Sequence, residues 1–224
     1  VQYSINGYPR TLEFSVVDAA KSIEHMKALS GEYGPRVPVW RYDTVVFSSE
    51  TGREFHLRNF ERIARRLEGS TDEVVVSFAQ IYRKTRRNMK WAAREFGFTW
   101  EDPADETKLS LAGELAQCAR SHGMTLSVCS QRQYLGPGIE DARCVDARRL
   151  SDVAGRAIPA ALKGNRPDCG CYESRDIGEY DTCPHGCVYC YAVNNRALAQ
   201  ERHQRHDPAG EFLWAPGRRL KIGL

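Results

Sequence analysis

Three of the eight cysteines stand in one short run, Cys183-Pro184-His185-Gly186-Cys187-Val188-Tyr189-Cys190-Tyr191. At this spacing three thiolates can reach one small inorganic centre from a single loop, and Gly186 permits the tight turn that this needs. Three cysteines on a [4Fe-4S] cubane leave one iron without a protein ligand, and an open iron can bind and activate a small molecule. Zinc is the rival metal, since Cys183, Cys187 and Cys190 with Cys171 or His185 would close a tetrahedral structural site. Cys129, Cys144, Cys169 and Cys171 are four further thiols, the number that a fully ligated auxiliary iron-sulfur cluster requires. Alternatively Cys129 and Cys144 are small buried residues, and Cys169-Gly170-Cys171 is redox-active or supports the first site. Cys118 falls on the inward face of a helical pattern and reads as core; His203 and His206 lie on a polar stretch and read as surface residues.

The pattern Cys-x-x-x-Cys-x-x-Cys, with Tyr189 before the last cysteine and Tyr191-Ala192 after it, resembles the signature of the radical S-adenosylmethionine (SAM) superfamily. The resemblance implies Cys183, Cys187 and Cys190 as ligands of a [4Fe-4S] cluster, SAM chelated on the open iron, and Tyr189 near the adenine. It also implies an electron donor, reductive cleavage of SAM to a 5′-deoxyadenosyl radical, and hydrogen abstraction from an unidentified substrate. In that superfamily the motif usually follows the first strand; here it follows at least four βα units. A narrower resemblance accounts for the shift. Cys169-Gly170-Cys171, Ser174-Arg175-Asp176-Ile177-Gly178 and Tyr180-Asp181-Thr182-Cys183 resemble the bacterial family named domain of unknown function 1848, as do Trp40-Arg41-Tyr42-Asp43, Tyr82-Arg83-Lys84-Thr85 and His206-Asp207-Pro208. Its members carry a C-terminal cysteine cluster similar to the radical SAM one. The likeness covers nearly the whole chain and implies a cofactor more than a reaction.

The elements that must position these cysteines are legible as a rhythm. Strand-like runs at Val1 to Asn6, Val37 to Phe47, Glu73 to Phe78 and Met124 to Cys129 alternate with amphipathic helical patterns. The helices carry Val16, Ala20, Ile23 and Met26; then Leu57, Phe60, Ile63, Ala64 and Leu67; then Met89, Ala92, Ala93 and Phe96; then Leu111, Leu115, Cys118 and Ala119 on their inner faces. Repeated βα units mean a parallel sheet, and the expectation is a (β/α) barrel-like α/β fold, TIM-type or partial, rather than an open doubly wound sheet. Both architectures put chemistry at the C-terminal ends of the strands, here Asn6, Arg41-Tyr42-Asp43, Gln80 to Lys84, and Cys129. Arg41, Asp43 and Lys84 are the candidate substrate or SAM contacts on strand-end position, with surface ion pairing as the plainer alternative. Residues 1–132 are expected to form the βα repeat region, and residues 133–224 an irregular cluster-binding region packed on the same domain. Val1 starts directly in a strand-like run, so the expected barrel lacks its N-terminal strands in this chain.

Composition bounds the partners. A chain of 224 residues with 42% hydrophobic residues can bury a sizeable core, and no stretch is long and apolar enough for a membrane span. The first residues lack a signal-peptide pattern, giving a cytoplasmic expectation with no membrane partner. A net charge of +3 is too mild to imply a polyanionic partner. The segment Arg83 to Lys90 is sharper: it reads either as a nucleic-acid contact, as in a repair-like enzyme, or as the solvated face of a helix. The function expected first is radical SAM chemistry, the alternative a non-catalytic structural zinc or iron-sulfur protein.

Overall fold

The computed structural model describes residues 1–214. Strand β1 (Gln2–Ser4) leads through a loop to α1 (Ala19–Tyr33), β2 (Val39–Val45), the short β3 (Phe47–Ser48) and α2 (Arg53–Leu67). Then come β4 (Glu73–Phe78), α3 (Arg83–Phe96), β5 (Trp100–Glu101), α4 (Asp105–Ser121) and β6 (Thr125–Val128). A final strand β7 (Ile139–Asp141), α5 (Ala147–Ala154) and α6 (Arg196–Gln204) complete the set. Local chemistry sets the helix ends: Asp18 caps α1 by accepting from the Ala20 amide at 2.8 Å, and α3 stops at Gly97, whose φ of +73° favours glycine.

Five strands form one parallel sheet in the order β1-β2-β4-β6-β7, which follows the chain. With the right-handed crossovers that parallel strands adopt, a one-way order keeps the helices on a single face. Trp40, Tyr42, Val74, Val76, Leu126 and Val128 accordingly point into the main core with Ile23, Met26, Phe60, Ile63, Leu111 and Leu115 from α1, α2 and α4. Alternate strand positions, including Val39, Val75 and Cys129, form a small second cluster with Ala142 on the opposite face. The fold is therefore α/β with a parallel five-stranded sheet, and among the described residues the sheet is open rather than closed into a barrel.

Four details depart from the sequence reading, the first being that Val16 precedes α1 and Ala20, expected inward, is exposed. The regular rhythm does not end at Arg132, because Ile139–Asp141 after Gly136-Pro137-Gly138 pairs with β6 as an edge strand; three residues are too few to show a period. Phe96, expected inward, is 41% exposed, since it is the last residue of the helix and packs on Phe14 and Trp91 at the surface rather than in the core. Cys118 and Leu57 are only half-buried at the margin of the core.

A buried polar group sits inside this apolar packing. His56 is fully buried, with Nδ1 against the Tyr42 hydroxyl at 2.9 Å and Nε2 against the Val46 carbonyl at 3.0 Å. Burial holds its imidazole down at about 4. The unfolded state protonates near pH 6.5 while the native state stays neutral, so the stability held above that pH is lost as pH falls towards 4. Over that window the loss approaches about 3 kcal/mol. Urea unfolding followed from pH 7 to 4 should show this fall, and His56→Gln should flatten it while lowering stability at pH 7.

Candidate functional site

Residues 12–15, in the loop after β1, meet the cysteine run as a short antiparallel zipper. The Val188 amide donates to the Leu12 carbonyl at 3.0 Å, the Ser15 amide to the His185 carbonyl at 2.9 Å, and Glu13 bridges Cys187. Val188 is buried in the main core. Gly186 makes the turn with φ +69°, and a Cβ there would meet Arg196 Nε at 2.8 Å and Phe14 Cδ2 at 3.2 Å. Lys84 fastens the far side, its ammonium 2.5 Å from the Tyr191 carbonyl, with Thr85 reaching the Tyr189 carbonyl at 3.4 Å.

The zipper delivers Cys187, Tyr189 and Cys190 to the wall of a cavity of about 350 Å³ whose floor is the C-terminal ends of the strands. β1 contributes Asn6 just past its end, β2 Arg41 and Asp43, β4 Ser77, and the segment after β6 Cys129. Arg41 and Asp43 form a largely buried ion pair, which Ser77 completes by donating its hydroxyl to Asp43. Arg41 also donates to the Cys144 sulfur at 2.9 Å. Lys84, the third strand-end candidate, does not line the cavity; its role is to hold the chain after Cys190.

Glu13 and Asn6 are the site residues that sequence reasoning passed over: Glu13 was not singled out, and Asn6 was only a strand end. Glu13 is 3% exposed and Asn6 5%. Glu13 Oε1 accepts from Asn6 Nδ2 at 3.1 Å and from the Tyr189 hydroxyl, and no Lys or Arg pairs with it among the described residues. Asn6 Oδ1 is buried without any hydrogen-bond partner. A buried acceptor left open at the wall of a cavity is a place for a ligand donor. Glu13 carried no signal in the sequence, because a lone acid in a loop matches no pattern until its partners are known.

Cys183 is exposed at the edge of the loop, where the adjacent His185 ring holds its thiol below the ordinary range. Burial, then the neighbouring Glu13, pushes Cys187 up to about 12. Four of the other five thiols collect beyond β6: Cys129 and Cys144 lie 3.6 Å apart, Cys169 and Cys171 contact each other, and the Val145 amide donates to Cys171 at 3.5 Å. The Cys144 thiol hydrogen-bonds Cys129 and lowers its pKa, with Arg41 and Arg166 reinforcing the shift against burial. Among the described residues no three His, Cys, Asp or Glu side chains are arranged to hold a single metal ion. His203 and His206 are exposed.

The loop geometry carries its own check. Gly186→Ala combines a left-handed φ with a close approach and should cost about 1–2 kcal/mol or more, read as a lowered urea midpoint. Gly136→Ala, in open space, should change it by less than about 0.5 kcal/mol.

No curated protein and no solved structure matches the chain. No helix among the described residues is long and apolar enough to cross a membrane. A family profile described as Domain of unknown function (DUF1848) matches residues 1–192, which contain β1 to β7, the cavity and every cysteine. The chain belongs to that family.

Proposed function

We propose that this protein is an iron-sulfur enzyme of the radical SAM type, with Cys183, Cys187 and Cys190 as ligands of a [4Fe-4S] cluster and SAM bound in the adjoining cavity. The observation that carries the reading is the shared cavity: Cys187 and Cys190 of the cysteine run and the strand ends Asn6, Arg41, Asp43 and Cys129 face one space. Its volume of about 350 Å³ lies in the range of about 300–1,000 Å³ typical of small-molecule sites. A cluster on these thiolates would supply the electron for reductive cleavage of SAM.

The chain's own residues bind and orient. Asn6 Oδ1 and the Glu13 carboxyl offer acceptors to the ligand's ammonium. Arg166, which lines the opposite side, has Nη1 uncommitted among the described residues and suits an anionic or acceptor-rich group of the second substrate, since SAM's own carboxylate shares a carbon with its ammonium. Tyr189 presents its ring beside the cavity while its hydroxyl is tied to Glu13, which fixes the plane against which an adenine would pack. Arg41 and Asp43 act at the floor, and Lys84 positions Tyr191. The one-way strand order supports reading the open sheet as part of a (β/α) barrel, whose chemistry sits at this end. The proximity of Cys129 to Cys144 and of Cys169 to Cys171 supports an auxiliary cluster on those four.

Electron paramagnetic resonance on the anaerobically reconstituted, reduced protein tests the proposal. A [4Fe-4S] signal that changes on adding SAM is expected. Serine at Cys183, Cys187 and Cys190 together should remove about four irons per chain, and serine at Cys129, Cys144, Cys169 and Cys171 about four more. A zinc-loaded, silent protein or a cluster indifferent to SAM would overturn the reading in favour of a structural metal. Glu13→Gln should keep the cluster signal and weaken SAM binding about tenfold or more.

A further inference from the structure

Helix α3 presents five basic side chains to solvent: Arg83, Arg86, Arg87, Lys90 and Arg94 are all exposed. None of them is in an ion pair among the described residues. At 3.6 residues per turn they fall within an arc of about 100°, opposite the buried Thr85, Met89 and Ala92. Arg83 and Arg87, Arg86 and Lys90, and Lys90 and Arg94 stand four residues apart, where like charges destabilise a helix by a few tenths of a kcal/mol each. Nothing described within the chain offsets that repulsion; a polyanion laid along the stripe would.

Aromatic rings flank the cations. Trp91 is 52% exposed and Phe96 41% exposed. They contact each other at 6.0 Å between ring centroids and both rest on Phe14, at 6.1 and 5.5 Å. Phe14 belongs to the zipper and adjoins Gly186 in the cysteine loop. At the other end of the helix Tyr82, 49% exposed, lines the cavity with its ring 6.2 Å from that of Tyr191. The rings come from three elements, so the sequence does not show them interleaved with the cations.

We infer that the exposed face of α3, with Trp91 and Phe96 backed by Phe14, binds single-stranded nucleic acid. Phosphates lie along the five cations and unpaired bases stack on the open rings, which a duplex cannot offer because its bases already face one another. The helix is about 20 Å long and its five cations spread over an arc of about 100°, so a short single strand of a few nucleotides covers the stripe. The strand reaches Tyr82 at the cavity, so a base is the substrate class that this surface delivers there. Binding needs no cofactor and stands independently of the radical SAM reading.

The test is fluorescence anisotropy of a short labelled oligothymidylate titrated at several potassium chloride concentrations. Five neutralised phosphates predict a slope of log K against log salt of about −3.5, and the variant R83Q/R87Q/K90Q/R94Q a slope of about −0.7. The circular dichroism and urea midpoint of that variant should match those of the parent protein. Trp91→Ala should weaken binding about 5- to 150-fold. No binding at low salt, equal binding by the quadruple variant, tighter binding of duplex, or binding to anionic phospholipid vesicles with none to the oligonucleotide would each overturn the inference.

Discussion

The site depends on one contact between remote parts of the chain, the antiparallel zipper of residues 12–15 with residues 185–188. Two backbone hydrogen bonds and the burial of Val188 hold it. Without them the cysteine run would be a polar loop with little apolar surface of its own. Because Val188 enters the core that the helices and sheet share, the position of Cys187 is tied to the stability of the whole fold rather than to a local turn. Glu13 belongs to the same contact: its backbone pairs with Cys187 while its carboxyl meets Tyr189 and Asn6. One segment of four residues therefore sets both the cysteine loop and the polar wall of the cavity.

The second constraint is the unequal treatment of the two sheet faces. One face is buried under α1, α2 and α4 and is almost wholly apolar. The other carries Arg41, Asp43, Glu73, Ser77, Ser127 and Cys129 among a few valines, and among the described residues Ala142, Cys144 and Arg149 of α5 pack against it. A charged layer of this kind costs desolvation energy, which the Arg41–Asp43 pair and its hydrogen bonds to Ser77 and Cys144 offset in part. Apolar residues at those positions would stabilise the chain at least as well. Their polarity is better explained by what faces them across the cavity.

Much of this was legible in the sequence because it rests on period and punctuation. Glu73–Phe78 could be read to the residue, and α2 and α4 showed their buried faces, since three or more turns of pattern outvote single exceptions. Strand-end position also brought Arg41 and Asp43 to the cavity. What was hidden depends on contacts without a period. β7 is too short to alternate, Lys84 turns outward to hold Tyr191, and Glu13 is informative only once Asn6 and Cys187 are beside it. The aromatic platform was hidden for the same reason, because Phe14 meets Trp91 and Phe96 only through the zipper.

The arrangement of charge in the cavity restricts its occupant. Asn6 and Glu13 follow β1, whereas Cys129 and its partner Arg166 lie beyond β6. In the order β1-β2-β4-β6 these strands are three spacings apart, about 14 Å at the usual 4.8 Å between neighbours. Acceptors therefore stand at one end and a cation at the other, with the balanced Arg41–Asp43 pair between them. A purely apolar molecule would leave both ends unsatisfied, and a simple anion or cation would leave one. Occupants that meet every group would place a donor-rich cationic group at one end and an acidic or acceptor-rich group about 14 Å away, farther than the two charges of one α-amino acid reach. These groups would belong to two molecules or to the two ends of a long one. The neutral parts between them would rest against Tyr189 and Tyr191, beside the cysteines.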